Sequence, residues 1–220
     1  NTVLFPALSK LQGDKEAVKR GMRRAMMVSS YILSPIFLGL AAVSDKVVPL
    51  LYSAKWTPAI PFMQLACFTS IVVVLNNANL QSIFAVGKSG EVLKLEFYKK
   101  PVMIALLFGG IYFGPIGISA AMFLYSFYVL YMNTRPNVKY LNYSLLEQVN
   151  DVKYGLIFSF VMALVVSGVG SLICNTVLSL CIQIPLGIAI YVGLSGAIKP
   201  EAYIFTRGIL LEQYRKRFKK

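Results

Sequence analysis

The strongest constraint on this chain is where its charges are absent. Residues 25–44, 56–87, 101–134 and 154–198 contain no Asp, Glu, Lys or Arg. A helix crosses a hydrocarbon core of about 30 Å with about 20 apolar residues, and each window reaches that length. Composition agrees: 57% of the 220 residues are hydrophobic and 14% charged, where soluble domains carry about 25% charged residues. The chain is expected to be an all-α integral membrane protein.

Breakers divide the windows further. Residues 25–44 supply one span and 58–87 a second, long enough to tilt. Gly114-Pro115-Ile116-Gly117 turns the third window into a hairpin with arms at about 98–114 and 116–134. Lys99 and Lys100 would snorkel at the start of the first arm. Cys174-Asn175-Thr176 breaks the fourth window into spans at about 154–174 and 176–197. About six transmembrane helices are therefore expected, four within 25–134 and the last two within 154–198. Residues 1–24 read as the end of a preceding helix and a cytoplasmic linker, 135–153 as a second linker, and 199–220 as a basic cytoplasmic tail. The apolar start Thr2-Val3-Leu4-Phe5-Pro6 makes the chain read as the C-terminal part of a larger protein.

The formal charge is +13, with 22 Lys and Arg. Threaded through six spans, all of these but Lys46 and Lys55 fall on one side, an asymmetry that marks the cytoplasmic face. The C-terminus is thus expected in the cytoplasm. The basic balance reports topology, so nucleic acid is not an expected partner. No histidine is present, which removes His-based acid–base and metal chemistry. Cys67, Cys174 and Cys181 stand singly without a CxxC, so neither disulfides nor a zinc site are indicated. No metal, cofactor or enzymatic activity is expected. In the outer loop, residues 45–57, Val47, Val48, Leu50, Leu51, Tyr52 and Trp56 suggest a short helix in the membrane interface.

Several segments resemble a known family. Phe5-Pro6-Ala7-Leu8-Ser9-Lys10-Leu11 before a basic linker is similar to the start of the C-terminal half of bacterial polysaccharide flippases, within the superfamily of MATE-like exporters. The outer loop from Val47 to Leu65 carries Leu50-Leu51-Tyr52, Trp56 and Ala59-Ile60-Pro61 with Gln64, as that family does. Ser53 stands where many relatives have Gly. Ala85-Val86-Gly87-Lys88 resembles the family's helix end. The resemblance covers about residues 3–105. It implies the C-terminal lobe of a transporter with 12–14 helices in the bacterial inner membrane, working by alternating access. The implied substrate is an undecaprenyl-diphosphate-linked oligosaccharide. Membrane lipids, an N-terminal lobe outside this chain and the polysaccharide polymerase machinery are the implied partners. A cation-coupled exporter of small molecules with the same fold, or a non-transporting scaffold for glycan assembly, remain as alternatives.

The second span is the polar one. At 100° per residue from Asn76, Thr69 falls at about 20°, Asn77 at about 100°, Ser70 at about 120° and Gln81 at about 140°, with Asn79 about 60° to the other side. The five residues of this arc, Thr69, Ser70, Asn76, Asn77 and Gln81, either line a translocation path or join helices through interhelical hydrogen bonds. Arg23, Arg24, Lys88, Lys99 and Lys100 either form an anion funnel at the cytoplasmic mouth or anchor helix ends in headgroups. Tyr125, Tyr128 and Tyr131 recur every three residues and suit sugar rings or an interfacial belt. Pro35 is either a gating hinge or a packing kink that Ser30 and Ser34 compensate. Gly110 with Gly114, and Gly117 with Ala121, read as close-packing pairs.

Overall fold

The computed structural model describes residues 13–208. These residues are almost wholly helical, and several of the helices run past the charge-free windows that mark them. Asp14 caps the first, α1 (Lys15–Ala42), its carboxylate accepting from the Ala17 amide at 3.0 Å. Val43 ends α1, and α2 (Ser44–Tyr52) begins at once, Ser44 Oγ donating to the Ala41 carbonyl at 2.8 Å. A 3-10 turn, Ala54–Ala59, leads into α3 (Ile60–Ala85). Then come α4 (Ser89–Ile111), α5 (Gly114–Leu141), α6 (Leu145–Leu172) and α7 (Thr176–Ile198), followed by helical residues 201–208.

Local chemistry accounts for the boundaries. Gly114, at φ 69, makes the tight α4–α5 turn. Asn142 ends α5 in the left-handed conformation, and Ser144 with Glu147 forms a reciprocal capping box on α6. The Asn175 side chain caps α7 by accepting from the Leu178 amide at 3.0 Å. The linker expected over 135–153 shrinks to residues 142–144, because α5 continues through Arg135 and Pro136 and α6 starts at Leu145. The linker before the first span is likewise helical from Lys15. The outer loop holds α2 and the 3-10 turn, with Leu50, Leu51, Tyr52 and Trp56 exposed and Val48 buried. Phe5 to Leu11 and the basic residues from Arg215 onward lie outside the described residues.

Among the described residues, five helical stretches are long and apolar enough to cross a membrane: Lys15–Ala42, Ala54–Ala85, Gly114–Leu141, Leu145–Leu172 and Thr176–Ile198. The sixth long helix, α4, has 23 residues. Its first half carries Glu91, Lys94, Glu96, Lys99 and Lys100, so it falls outside that set on charge. The arm expected at 98–114 therefore starts at Ser89, and Lys99 lies inside the helix rather than at its mouth.

The long helices pack in a row, α7 against α6, α6 against α1, α1 against α3, α3 against α5 and α5 against α4. Small residues set the closest approaches. A Cβ on Gly117 would lie 2.4 Å from the Gly110 carbonyl oxygen, so the α4 and α5 backbones touch there. Gly114 contributes a turn rather than packing, since a Cβ on it would meet nothing within 4 Å. At Gly155 a Cβ would come within 3.3 Å of Tyr31 Cα, fixing α6 against α1.

One buried cluster joins Met22 and Met26 of α1, Leu75 of α3, Leu130 of α5 and Tyr143. A second joins Tyr31 of α1, Phe158 and Met162 of α6, and Tyr191 of α7. The outward surface is apolar as well: Phe108, Tyr112, Leu164, Ile188 and Val192 are all exposed. An aqueous fold does not leave so much apolar surface uncovered, whereas a bilayer covers it.

Candidate functional site

A seam of amides runs through the bundle where α3, α5 and α6 meet. Asn79 of α3 and Gln148 of α6 form a reciprocal pair, Asn79 Nδ2 donating to Gln148 Oε1 at 2.8 Å and Gln148 Nε2 to Asn79 Oδ1 at 2.9 Å. From α5, Asn137 Nδ2 donates to Asn79 Oδ1 at 2.8 Å, and Ser82 Oγ donates to Asn137 Oδ1 at 2.6 Å. Asn79, Ser82, Asn137 and Gln148 are fully buried. Every side-chain polar atom of this group has a partner within the protein, which makes the inner seam a satisfied lock between three helices.

The seam extends toward α4. Asn76 Nδ2 donates to the Ser126 carbonyl at 3.2 Å, and Asn133 Nδ2 donates to Asn76 Oδ1 at 3.3 Å. Lys99 closes the line, its Nζ donating to Asn133 Oδ1 at 3.1 Å and to Glu96 Oε1. A polar line thus crosses from α6 to α4.

The expected arc divides on this frame. Asn76 is buried and bonded. Asn77 and Gln81 are half-buried, and their amides have no hydrogen-bond partner among the described residues. Thr69 and Ser70 turn back on their own helix, donating to the Leu65 carbonyl at 2.8 Å and the Ala66 carbonyl at 2.7 Å. Asn79, set outside the arc by its angle, is the centre of the seam instead. Asn137 and Gln148 fall within 135–153, which the sequence reads as a linker, whereas Asn133 lies at the end of the expected span 116–134, where only the tyrosines stand out. The four-residue spacing of Asn133 and Asn137, which puts both on one helical face, was the available signal.

The five expected funnel cations are not brought together as one open patch. Arg23 Nε donates to Asp151 Oδ2 at 2.8 Å, and Arg23 Nη2 to Glu201 Oε2 at 3.0 Å. The Arg24 guanidinium lies 5.0 Å from the Phe205 ring centre, and Lys88 Nζ lies 5.6 Å from that of Tyr140. Lys99 is enclosed within the bundle, while Lys100 is exposed. Arg23, Arg24, Lys88 and Lys99 thus each meet a carboxylate, a ring or an amide of the protein, and Lys100 alone of the five faces outward without such a partner among the described residues.

Arg23 instead anchors a clasp at the basic end. The Asp151 side chain is only 7% exposed, and it also accepts from Tyr143 Oη at 2.7 Å. Burial, then the bond to Asp151, pushes the Tyr143 phenol well above its ordinary range, so it stays protonated as a donor.

Pro35 sits within an unbroken α1 and lines an apolar cavity of about 480 Å³ between α1, α6 and α7, with Gly39, Met162, Gln183, Gly187 and Tyr191. Ser30 and Ser34 bond to each other at 3.2 Å rather than to a carbonyl freed by the proline. Tyr125 and Tyr128 are half-buried with ring centres 6.3 Å apart, while Tyr131 is exposed and bonded to Arg135 at 2.8 Å. Among the described residues no cluster of His, Cys, Asp and Glu suited to a metal ion occurs.

Long apolar helices, apolar outward faces and a polar seam inside define a multi-pass, all-α integral membrane protein. Comparison with known proteins sharpens the class. The family profile described as "Polysaccharide biosynthesis protein" matches residues 1–61. The lipopolysaccharide biosynthesis protein WzxC of Escherichia coli K12 is 32% identical over 123 residues, 56% of this chain and 25% of that protein. An uncharacterized membrane protein in cps region from Klebsiella pneumoniae is 34% identical over 116 residues, 52% of this chain and 24% of that protein. The teichuronic acid biosynthesis protein TuaB of Bacillus subtilis is 26% identical over 96 residues, 44% of this chain and 19% of that protein. The chain thus spans a quarter or less of the length of these relatives. No solved structure matches it significantly. The resemblance read from the sequence is borne out at the level these matches reach: this chain is similar to membrane proteins named for polysaccharide biosynthesis.

Proposed function

We propose that this chain is the C-terminal lobe of a flippase that moves a lipid-linked oligosaccharide, carried on undecaprenyl diphosphate, across the bacterial inner membrane by alternating access. The observation that carries the reading is the match of residues 1–61 to the polysaccharide-biosynthesis profile. The clasp end, with its surplus of Lys and Arg, faces the cytoplasm in this reading, as the positive-inside rule requires, and it holds the C-terminus there. An N-terminal lobe, membrane lipids and the polymerase machinery are its proposed partners, and its role is transport rather than catalysis.

Within the lobe, the seam of Asn79, Asn137 and Gln148 holds three helices together, and the path runs beside it. Asn77 and Gln81 are the path residues on this reading. Their half-exposed amides offer donors and acceptors to sugar hydroxyls, while their backs rest on the locked seam. Asn76 supports the path from behind, and Thr69 and Ser70 continue it along α3. Pro35 beside the apolar cavity is the proposed hinge.

The experiment is complementation. In cells lacking the intact protein, Asn77→Leu combined with Gln81→Leu is expected to restore normal protein levels but little surface polysaccharide. Normal polysaccharide display by that variant would refute the path assignment. Normal display by cells lacking the protein altogether would refute the function.

A further inference from the structure

Lys99 is more deeply enclosed than a helix-end anchor requires. Its side chain is 4% exposed, while that of its partner Glu96 is 43% exposed. Enclosed ionised side chains are paired, and such pairs gather at functional sites. An ammonium has three donors; among the described residues, Lys99 uses them on Glu96 and Asn133 only. Asn133 is itself fixed through Asn76 to the Ser126 carbonyl. The lysine is thus braced from behind by neutral amides and closed in front by one half-exposed carboxylate. Such a pair can exchange its anion without disturbing the brace.

We propose that Glu96 is a placeholder in an anion subsite, and that a phosphate-type anion displaces its carboxylate from the Lys99 ammonium. A phosphate carries more charge than a carboxylate and three strong acceptor oxygens, so it outcompetes Glu96 for the bonded and the spare donor together. A solute carboxylate exchanging for Glu96 gains nothing of the kind. The site takes diphosphate from the cytoplasmic half of the lobe, deeper than any funnel at the helix ends. Its physiological ligand rests on the transport reading above, but the anion chemistry does not.

The test is diphosphate binding by the full-length protein in nanodiscs, with inorganic diphosphate as the probe and glucuronate as the carboxylate control. Glu96→Gln removes the competing charge and is expected to tighten diphosphate binding about tenfold. Lys99→Gln is expected to abolish binding, and Lys99→Arg to retain most of it. Melting of each variant without ligand reports folding. Unchanged diphosphate binding by a folded Lys99→Gln variant would overturn the proposal, as would glucuronate binding as tightly as diphosphate to the unmodified protein. If Lys99→Gln does not fold, Glu96→Gln decides alone, and unchanged affinity there overturns the proposal. The transport reading fails differently: surface polysaccharide would persist without the protein while Lys99-dependent diphosphate binding remained.

Discussion

Truncating Asn79 to Ala is expected to cost far more than truncating its partner Gln148, although the two share the same pair of hydrogen bonds. Without Asn79, both ends of the Gln148 amide lose their partners in a site where Gln148 is 1% exposed. An unsatisfied buried polar group costs about 1–3 kcal/mol, while an interhelical bond within a membrane is worth roughly 0.6 kcal/mol. Asn137 keeps the Asn79 carbonyl at 3.0 Å and the Asn133 carbonyl at 3.1 Å, so it adds little. Asn79→Ala is therefore expected to destabilise by about 2–4 kcal/mol.

Without Gln148 the outcome differs. Asn79 Nδ2 still donates to the Leu75 carbonyl at 3.0 Å, and Asn79 Oδ1 still accepts from Asn137. Nothing is orphaned, so Gln148→Ala is expected to cost about 1 kcal/mol. The double variant should cost less than the two singles summed, because the groups stranded by the first change are removed by the second. Steric-trapping or denaturant unfolding of the intact protein in bicelles measures all three. Equal losses for the two single variants, or simple additivity, would refute the account of the seam as a satisfied lock centred on Asn79.

Four further outcomes follow from the geometry. Gly117→Leu should unseat the α4–α5 hairpin, since even a Cβ meets the Gly110 carbonyl at 2.4 Å; a loss of about 3 kcal/mol or failure to accumulate is expected, whereas Gly109→Ala, with nothing within 4 Å of its Cβ, should melt like wild type. Ser53 adopts φ 78, ψ 163, a region nearly confined to glycine, so Ser53→Gly should raise stability by about 1 kcal/mol in a thermal melt. Arg23→Ala leaves the largely buried Asp151 carboxylate with Tyr143 alone and should destabilise by about 1–3 kcal/mol, whereas a lysine at position 23 should recover only part of that in the same melt because it cannot reach Asp151 and Glu201 with a planar fork. Tyr143→Phe should cost about 1–2 kcal/mol by removing the neutral donor to Asp151.

Most of the fold was legible because a bilayer makes apolar length informative. The charge-free windows located the long helices, and Gly114 and Asn175 marked two of their breaks through turn and cap chemistry. Arg135 and Pro136 misled, because a charge and a proline next to an apolar window look like its end. In the structure Pro136 is buried in α5 and the helix runs on to Leu141, which is what carries Asn137 into the seam. The site was legible only as a polar span. Angular position on α3 cannot say which side meets protein, so Asn79 was set aside and Asn77 kept. Lys99 looked like an anchor because Asn133, the residue that draws it inward, lies 34 positions later. Ser53 is the converse case, a residue of ordinary appearance in the sequence whose positive φ only the backbone reveals.

On the proposed function, the intact protein moves a lipid-linked oligosaccharide from one leaflet to the other. Reconstitution of the full-length protein into proteoliposomes tests it directly, with a fluorescent undecaprenyl-diphosphate oligosaccharide placed in one leaflet and read by a membrane-impermeant quencher. Protein-dependent transfer between leaflets, weakened by Asn77→Leu with Gln81→Leu but not by Gly109→Ala, is the expected result. Transfer no faster than in protein-free liposomes, from a correctly folded preparation, would contradict the claim.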